Sequence, residues 1–185
     1  MPGSMPEGKQ FIKDFILSNN ISLILDVGPG SGNYPDLMDA RGEYSDYPGG
    51  SLMWVEWWAV EIYEPYIDMF GLNNKYNKII ISDIYDLDWD DLRFDLVILG
   101  DVLEHMTKER GAEVIKKAVD HSNWVILALP IVDYPQGSSY GNEHEAHISQ
   151  YYPEIIKELL KDYTIVDYLE GDIIGVYIFK DLKDE

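Results

Sequence analysis

No cysteine occurs in the 185 residues, and that absence removes disulfides, thiolate metal sites and a cysteine nucleophile. Basic residues are scarce. Against 34 Asp and Glu stand 14 Lys and Arg, a formal charge of −20. A surface of that sign repels polyphosphates, and the densest basic cluster, Lys116-Lys117, is two residues long, so no nucleic-acid partner is expected. There is no run of 18 apolar residues and no basic-then-apolar leader. Neither a membrane span nor a secretory signal is therefore expected, and a cytoplasmic location is the default. Internal repeats and low-complexity tracts are lacking too. What is present, 46% hydrophobic residues including 13% aromatics, suffices for a single domain over 1–185, with an N-terminal extension and helix at 1–22 and a core at 23–185.

The core begins with LILDVGPGSGNY, Leu23 to Tyr34. Leu23, Ile24, Leu25 and Val27 suit a parallel strand buried on both faces, and Gly28, Gly30 and Gly32 follow within five residues. A glycine turn running into a helix start lets backbone approach a ligand and aims free N–H groups at it, which is a nucleotide-cofactor address. A dinucleotide fingerprint needs its third glycine three residues after the second, where this chain has Asn33. Asp26 also sits poorly beside a pyrophosphate but well beside a cofactor that carries an ammonium group.

Periodicity supplies the remaining elements. Phe11, Ile12, Phe15 and Ile16 give Lys9–Asn19 a helical face, while Met1 to Gly8 reads as a soft terminus. Helices are expected at 35–41, 65–70, after a Thr107 cap, and at 153–163. Strands are expected at 55–60, 78–81, 94–100 and 124–129. The runs 164–169 and 175–179 are joined by too short a link for a parallel return, so they must pair antiparallel. The stretch 42–52 reads as an insertion, a surface loop in preference to a lid.

The pattern D-x-G-x-G-x-G at Asp26, Gly28, Gly30 and Gly32 resembles motif I of class I S-adenosylmethionine-dependent methyltransferases, and the later elements follow that family's order. The resemblance covers about Leu23 to Lys180. It implies an α/β fold: a Rossmann-like, doubly wound, seven-stranded sheet, mostly parallel with a C-terminal antiparallel hairpin, in strand order 3-2-1-4-5-7-6. It further implies S-adenosylmethionine as cofactor and S-adenosylhomocysteine as product. The three glycines would admit the methionine portion, Asp26 its ammonium directly or through water, Glu61 the ribose, and Asp83 with Ile84 the adenine. Glu61 lies 29 residues beyond Gly32, further than usual, and Glu56 is its competitor.

After the strand FDLVILG comes Asp101-Val102-Leu103-Glu104-His105-Met106, which resembles motif IV of small-molecule methyltransferases. Asp101 and His105, four apart, would share one face of a helical turn and place Asp101 at the cofactor. In the ubiquinone-biosynthesis O-methyltransferases and the small-RNA 2′-O-methyltransferases a similar Glu-x-x-Glu-His, joined by a later histidine, holds a divalent cation. Here that implies Asp101, Glu104 and His105, with His144 or His147 from the polar loop 132–150 as the fourth ligand. Local capping by Glu104 with packing of His105 is the preferred alternative, which leaves the site without metal. His105, His144 and His147 are the candidates for a general base, and His121 reads as a charge at a helix end. The expectation is a methyltransferase acting on oxygen, nitrogen or carbon of a small-molecule acceptor, away from membranes and nucleic acid. The rival is a non-catalytic S-adenosylmethionine-binding regulatory or partner module. Oligomeric state is not legible.

Overall fold

The stretch Phe94–Gly100 sets the layering of the molecule. It forms a strand in which Leu96 and Ile98 belong to one buried cluster while Val97 and Leu99 belong to another, because successive side chains leave a strand on opposite faces. A strand apolar on both faces needs cover on both.

The computed structural model describes residues 6–38 and 55–182. Helix α1 (Lys9–Ser18) precedes β1 (Leu23–Val27), α2 (Asn33–Met38), β2 (Glu56–Glu61), α3 (Pro65–Met69) and β3 (Lys78–Ile81). Then follow β4 (Phe94–Gly100), α4 (Lys108–Asp120), β5 (Ser122–Pro130), α5 (Pro153–Leu159), β6 (Tyr163–Glu170) and β7 (Ile174–Asp181). The strands form one sheet in the order β3-β2-β1-β4-β5-β7-β6. Pairing is parallel from β3 through β5, and β7 runs antiparallel to both β5 and β6. The expected architecture and strand order both hold. One face is covered by α4 and α5 over Val97, Leu99, Ile115 and Ile156, the other by α1 and α2 over Ile24, Ile98 and Ile12. Among the described residues no helix is long and apolar enough to cross a membrane.

Two local differences from expectation have physical causes. Helix α2 starts at Asn33, two residues before the expected Pro35, since the glycine turn closes earlier with Gly32 N–H donating to Pro29 O at 2.8 Å. Its expected continuation to residue 41, and the 42–52 insertion, lie outside the described residues. The soft terminus is anchored at its end. The Glu7 carboxylate accepts from Asp172, Ile173 and Ile174 N–H at 2.8, 2.9 and 2.7 Å, capping the turn of the final hairpin, and these three donors hold the Glu7 pKa below the usual range.

Thr107 caps α4 by accepting from Arg110 N–H at 3.4 Å. Four residues on, Gly111 passes so close to its neighbours that a Cβ there would lie 2.6 Å from Leu103 Cδ2 and 3.0 Å from Tyr151 Oη, both side chains being fully buried. Alanine in mid-helix gains about 1 kcal/mol over glycine, whereas overpacking of a core costs about 1–3 kcal/mol. Gly111→Ala is therefore expected to be less stable than the parent by up to about 2 kcal/mol despite its better helix propensity, as a lower urea midpoint at unchanged slope.

Candidate functional site

The chain leaves β1 at Val27 and turns immediately. Gly28 takes φ 61 and donates its N–H to Val60 O at 2.9 Å, so the turn is stitched to β2 in a backbone conformation that a Cβ disfavours. Gly28 and Gly30 line a cleft of about 750 Å³, counting the part open to solvent, at the carboxyl ends of β1, β2 and β4. Ligands bind at this edge in doubly wound sheets. Gly32 serves another purpose. A Cβ on it would lie 2.7 Å from Lys75 Cδ and 3.1 Å from Leu72 Cδ2, so its smallness lets the loop pack on the segment after α3.

Asp26 lies beneath the glycine loop, 1% exposed, with its Oδ2 accepting from Tyr76 Oη at 2.5 Å and its Oδ1 buried without a partner. Burial pushes its pKa up to about 7, against the pull of the Tyr76 hydroxyl and the Lys9 ammonium. Glu61 ends β2 and lines the cleft, 3% exposed, with one oxygen accepting from Tyr63 N–H at 2.7 Å. Burial raises it too, to about 7, with the like charge of Glu145 adding to the rise and the N–H of Tyr63 opposing it. Glu56, the competitor, begins β2 at the far end and accepts from Trp58 Nε1 at 2.6 Å.

Asp83 and Ile84 line the next wall. Asp83 is already engaged, since Oδ1 accepts from Tyr85 N–H at 2.9 Å and Oδ2 pairs with Arg110 Nη2 at 2.7 Å. The Arg110 guanidinium also lies 4.4 Å from the centre of the Tyr85 ring, a cation over an aromatic face. Arg110 lines the cleft with them and carried no sequence signal, because the pairing spans 27 residues between a turn and a helix.

Beyond β4, Asp101 takes φ 53, and a 3₁₀ turn follows at Leu103–His105, so no α-turn spans 101–105. Asp101 and His105 both line the cleft all the same. Glu104 points elsewhere. It is 3% exposed, both carboxylate oxygens lack a partner among the described residues, and it faces a second cavity with Asp133, Tyr134, His147 and Gln150. Burial holds its pKa well above the carboxylate range, and Asp101 adds to that.

The β5–α5 loop connects the two cavities. Its Asn142, His144 and Glu145 line the first, where Tyr66 Oη donates to Glu145 Oε1 at 3.0 Å. His147 lies three residues on and belongs to the second. One ligand atom from each of Glu104, His105 and His147 falls within 4.8 Å of the others, and the two imidazoles meet edge to face at 4.8 Å between centres. His105 Nδ1 faces Ala146 O at 3.2 Å and His147 Nδ1 faces Tyr134 O at 2.6 Å. A carbonyl only accepts, so each Nδ1 carries the hydrogen and each Nε2 is left as a lone-pair donor to whatever binds. Burial lowers the His105 pKa, and the neighbouring His147 and His144 act in the same direction. His121 is the C-cap of α4, with Nδ1 3.1 Å from Lys117 O.

This architecture is that of the class I S-adenosylmethionine-dependent methyltransferases. A family model described as a methyltransferase domain matches residues 25–121, just over half of the chain, and the chain belongs to that family. No curated protein matches it at a significant level. Among solved structures it is similar to TehB from Haemophilus influenzae, with 14% identity, a TM-score of 0.65, and coverage of 93% of this chain and 62% of that one. It is similar also to magnesium protoporphyrin IX methyltransferase ChlM from Synechocystis PCC 6803 with S-adenosylhomocysteine bound, with 14% identity, a TM-score of 0.65, and coverage of 95% and 83%. The small RNA methyltransferase HEN1 gives 16% identity and a TM-score of 0.69, with all of this chain matching 27% of that one. At these identities the likeness shows the fold. The cofactor of the family is S-adenosylmethionine.

The raised carboxyl groups give a pH dependence of defined sign. The folded pKa values of Asp26 and Glu61, about 7, exceed the ordinary 3.8 and 4.5. The stability they contribute is complete below about pH 4 and is lost as pH rises through about 7. Protonation of unfolded His105 opposes this only below about pH 6.5. The ligand-free protein is expected to melt several degrees lower at pH 8 than at pH 6, and Glu61→Gln to flatten that slope, as read by calorimetry in constant-ionic-strength buffers.

Proposed function

We propose that this chain is a methyltransferase that moves the sulfonium methyl of S-adenosylmethionine to an oxygen, nitrogen or carbon of a small-molecule acceptor. The observation that carries the proposal is a cleft at the sheet's carboxyl edge, lined by Gly28, Gly30, Glu61, Asp83, Ile84 and Asp101, with His105 on its wall and the His147 ring of the second cavity 4.8 Å from that imidazole. The formal charge of −20 supports a small acceptor over a nucleic acid.

The residues fit the cofactor. The buried, unpartnered Oδ1 of Asp26 is an acceptor in need of a donor, as an ammonium supplies. Glu61, held by backbone donors of Tyr63, Ile62 and Gly30, presents its carboxylate to the cleft for a pair of ribose hydroxyls, and the apolar flank of Ile84 beside Asp83 suits adenine. Bound S-adenosylmethionine supplies an electrophilic methyl whose leaving group is a neutral thioether. What the chain then contributes is alignment and, for an acceptor that carries a proton, a base. The His105 imidazole, with Nδ1 donating to Ala146 O, lines the cofactor cleft beside His147 and is placed to take that proton. The depressed pKa of His105 keeps it unprotonated and ready at neutral pH. His144, on the cofactor side, and His147, on the acceptor side, flank it.

A second reading concerns a metal. Glu104, with two oxygens unpartnered among the described residues, and the imidazoles of His105 and His147 form a nitrogen-and-oxygen donor set suited to Zn, Mn or Fe. Carbonyl partners on Nδ1 are the usual means by which ligating histidines are oriented. Glu104, His105 and His147 would hold the ion, which would lower the pKa of an acceptor hydroxyl. His144 and Asp101 lie on the cofactor side of this group.

Two measurements test these readings. By titration calorimetry, Glu61→Ala is expected to weaken S-adenosylhomocysteine about tenfold to a hundredfold, the worth of hydrogen bonds to a charged group; binding equal to the parent's removes the ribose assignment. Saturating Mn²⁺ or Zn²⁺ is expected to raise the melting temperature of the parent by about 5 to 10 °C and that of His147→Ala hardly at all. Equal shifts in the two proteins would sink the metal reading while leaving the cofactor untouched.

A further inference from the structure

We propose that the second cavity is the acceptor's site and that it is built for an acceptor carrying a positively charged amine on a small apolar body. The inference rests on the methyltransferase reading above and adds to it the chemical class of the molecule on the acceptor side.

The cavity, of about 510 Å³ counting the part open to solvent, has two kinds of lining. Pro130, Val132, Pro135 and Ile148 make part of it apolar. The rest is polar and short of donors. Glu104 is 3% exposed and Tyr151 1%, and neither carboxylate oxygen of the one nor the hydroxyl of the other has a hydrogen-bond partner among the described residues. Asp133 adds a second carboxylate to the same lining. Other side-chain donors there are already spent on carbonyls: Gln150 Nε2 on Val132 O at 2.5 Å, Ser149 Oγ on Met106 O at 2.6 Å, and His147 Nδ1 on Tyr134 O at 2.6 Å. Among the described residues no lysine or arginine lines the cavity; Lys108 Nζ comes within 5.8 Å of the centre of the Tyr151 ring without joining the lining.

This arrangement excludes as definitely as it admits. An acceptor with a carboxylate or phosphate would meet Glu104 and Asp133 with no cation beside them to offset the repulsion. An alcohol brings one donor and no charge. An ammonium brings three donors and a positive charge to a group of acceptors, and charge-assisted bonds are about twice as strong as neutral ones. The Tyr134 ring, part of the same lining, offers an aromatic face that attracts a cation. A metal ion held by Glu104, His105 and His147 would leave the apolar lining bare and the Tyr151 hydroxyl without a partner, whereas an apolar lining with a few polar groups in a volume of this order suits an organic body. An ammonium on Glu104 also stands next to the cofactor cleft, since a ligand atom of Glu104 lies within 4.8 Å of one on His105, and His105 lines that cleft.

The test uses the full chain with S-adenosylhomocysteine bound and EDTA present, and three probes of like shape that are a cation, a neutral molecule and an anion at neutral pH: phenethylamine, 2-phenylethanol and 3-phenylpropionate. Calorimetric titration is expected to show the amine binding about tenfold to a hundredfold tighter than the alcohol, the worth of hydrogen bonds between charged groups, and the anion not binding. In Glu104→Gln the amine is expected to fall to within about twofold of the alcohol. Equal affinity of the parent for amine and alcohol, a preference for the anion, or a preference for the amine that survives in Glu104→Gln overturns the assignment, and the first two are read on the parent alone, whether or not the variant folds. A parent that ignores all three probes and is stabilised, with EDTA left out, by Mn²⁺ alone returns Glu104 to the metal and overturns it as well. Titration of S-adenosylhomocysteine itself reads the cofactor cleft separately: the cofactor reading fails if that binding is lost, and the amine assignment fails with that binding intact.

Discussion

Asp26, Glu61 and Glu104 stand at or beyond the carboxyl ends of β1, β2 and β4 with 1, 3 and 3% of their surface exposed. A lone ionised carboxylate at that depth carries a penalty of several kcal/mol. The rest of the site follows from how each is accommodated. Asp26 is met by the hydroxyl of Tyr76 and the charge of Lys9, Glu61 by the N–H groups after its own strand, and Glu104 by nothing on its carboxylate among the described residues. Glu61 is the best satisfied of the three, Asp26 keeps one orphaned oxygen and Glu104 two, and that unsatisfied capacity is what a ligand can meet.

The helices and loops serve this edge. Parallel strands bring their carboxyl ends to one side of the sheet, and the strand order puts the β1 and β4 ends next to each other. The glycine turn and the 101–106 segment must therefore share a cleft. The β5–α5 loop is held over it by backbone and side-chain hydrogen bonds together. Ile148 and Ser149 N–H donate to Glu104 O at 2.8 and 3.0 Å, and Ser149 Oγ donates to Met106 O at 2.6 Å. One stretch of loop consequently supplies Glu145 to the ribose side and His147 to the Glu104 side.

The sheet was legible because its signals are local. An apolar run before a glycine turn, an acid at a strand end and a link too short for a crossover each declare themselves within a dozen residues. Gly28, Gly30, Glu61, Asp83 and Asp101 could be placed at the cleft for the same reason. What the sequence hid lies in contacts between distant segments. Tyr76 is 50 residues from Asp26, and Glu7 is 165 residues from Asp172. Nothing in the spacing of E-H-x-x-H tells which histidine turns toward Glu104. The choice is made by where the loop's hydrogen bonds pin it: His144 N–H turns back to Asn142 Oδ1, whereas His147 N–H reaches Gln136 O. A helical spacing for Asp101 and His105 failed for a related reason, since the positive φ of Asp101 breaks the turn before it can form.

Glu104 brings these threads to one question of energetics. Its backbone carbonyl is a structural anchor for the loop, while its side chain is buried without a partner. A packing role for the side chain would be met better by glutamine or leucine, since an unsatisfied carboxyl in an apolar setting is destabilising whichever protonation state it adopts. The two imidazoles beside it are likewise fixed by their Nδ1 atoms. Three acceptors converge within 4.8 Å, and acceptors alone cannot satisfy one another. The group is therefore balanced only by something positive, either a proton shared among its members or a cation set between them. A group that shares a proton can take one from an acceptor at an imidazole, whereas a cation would instead make a bound acceptor hydroxyl more acidic, and either would act beside the wall of the cofactor cleft that carries His105.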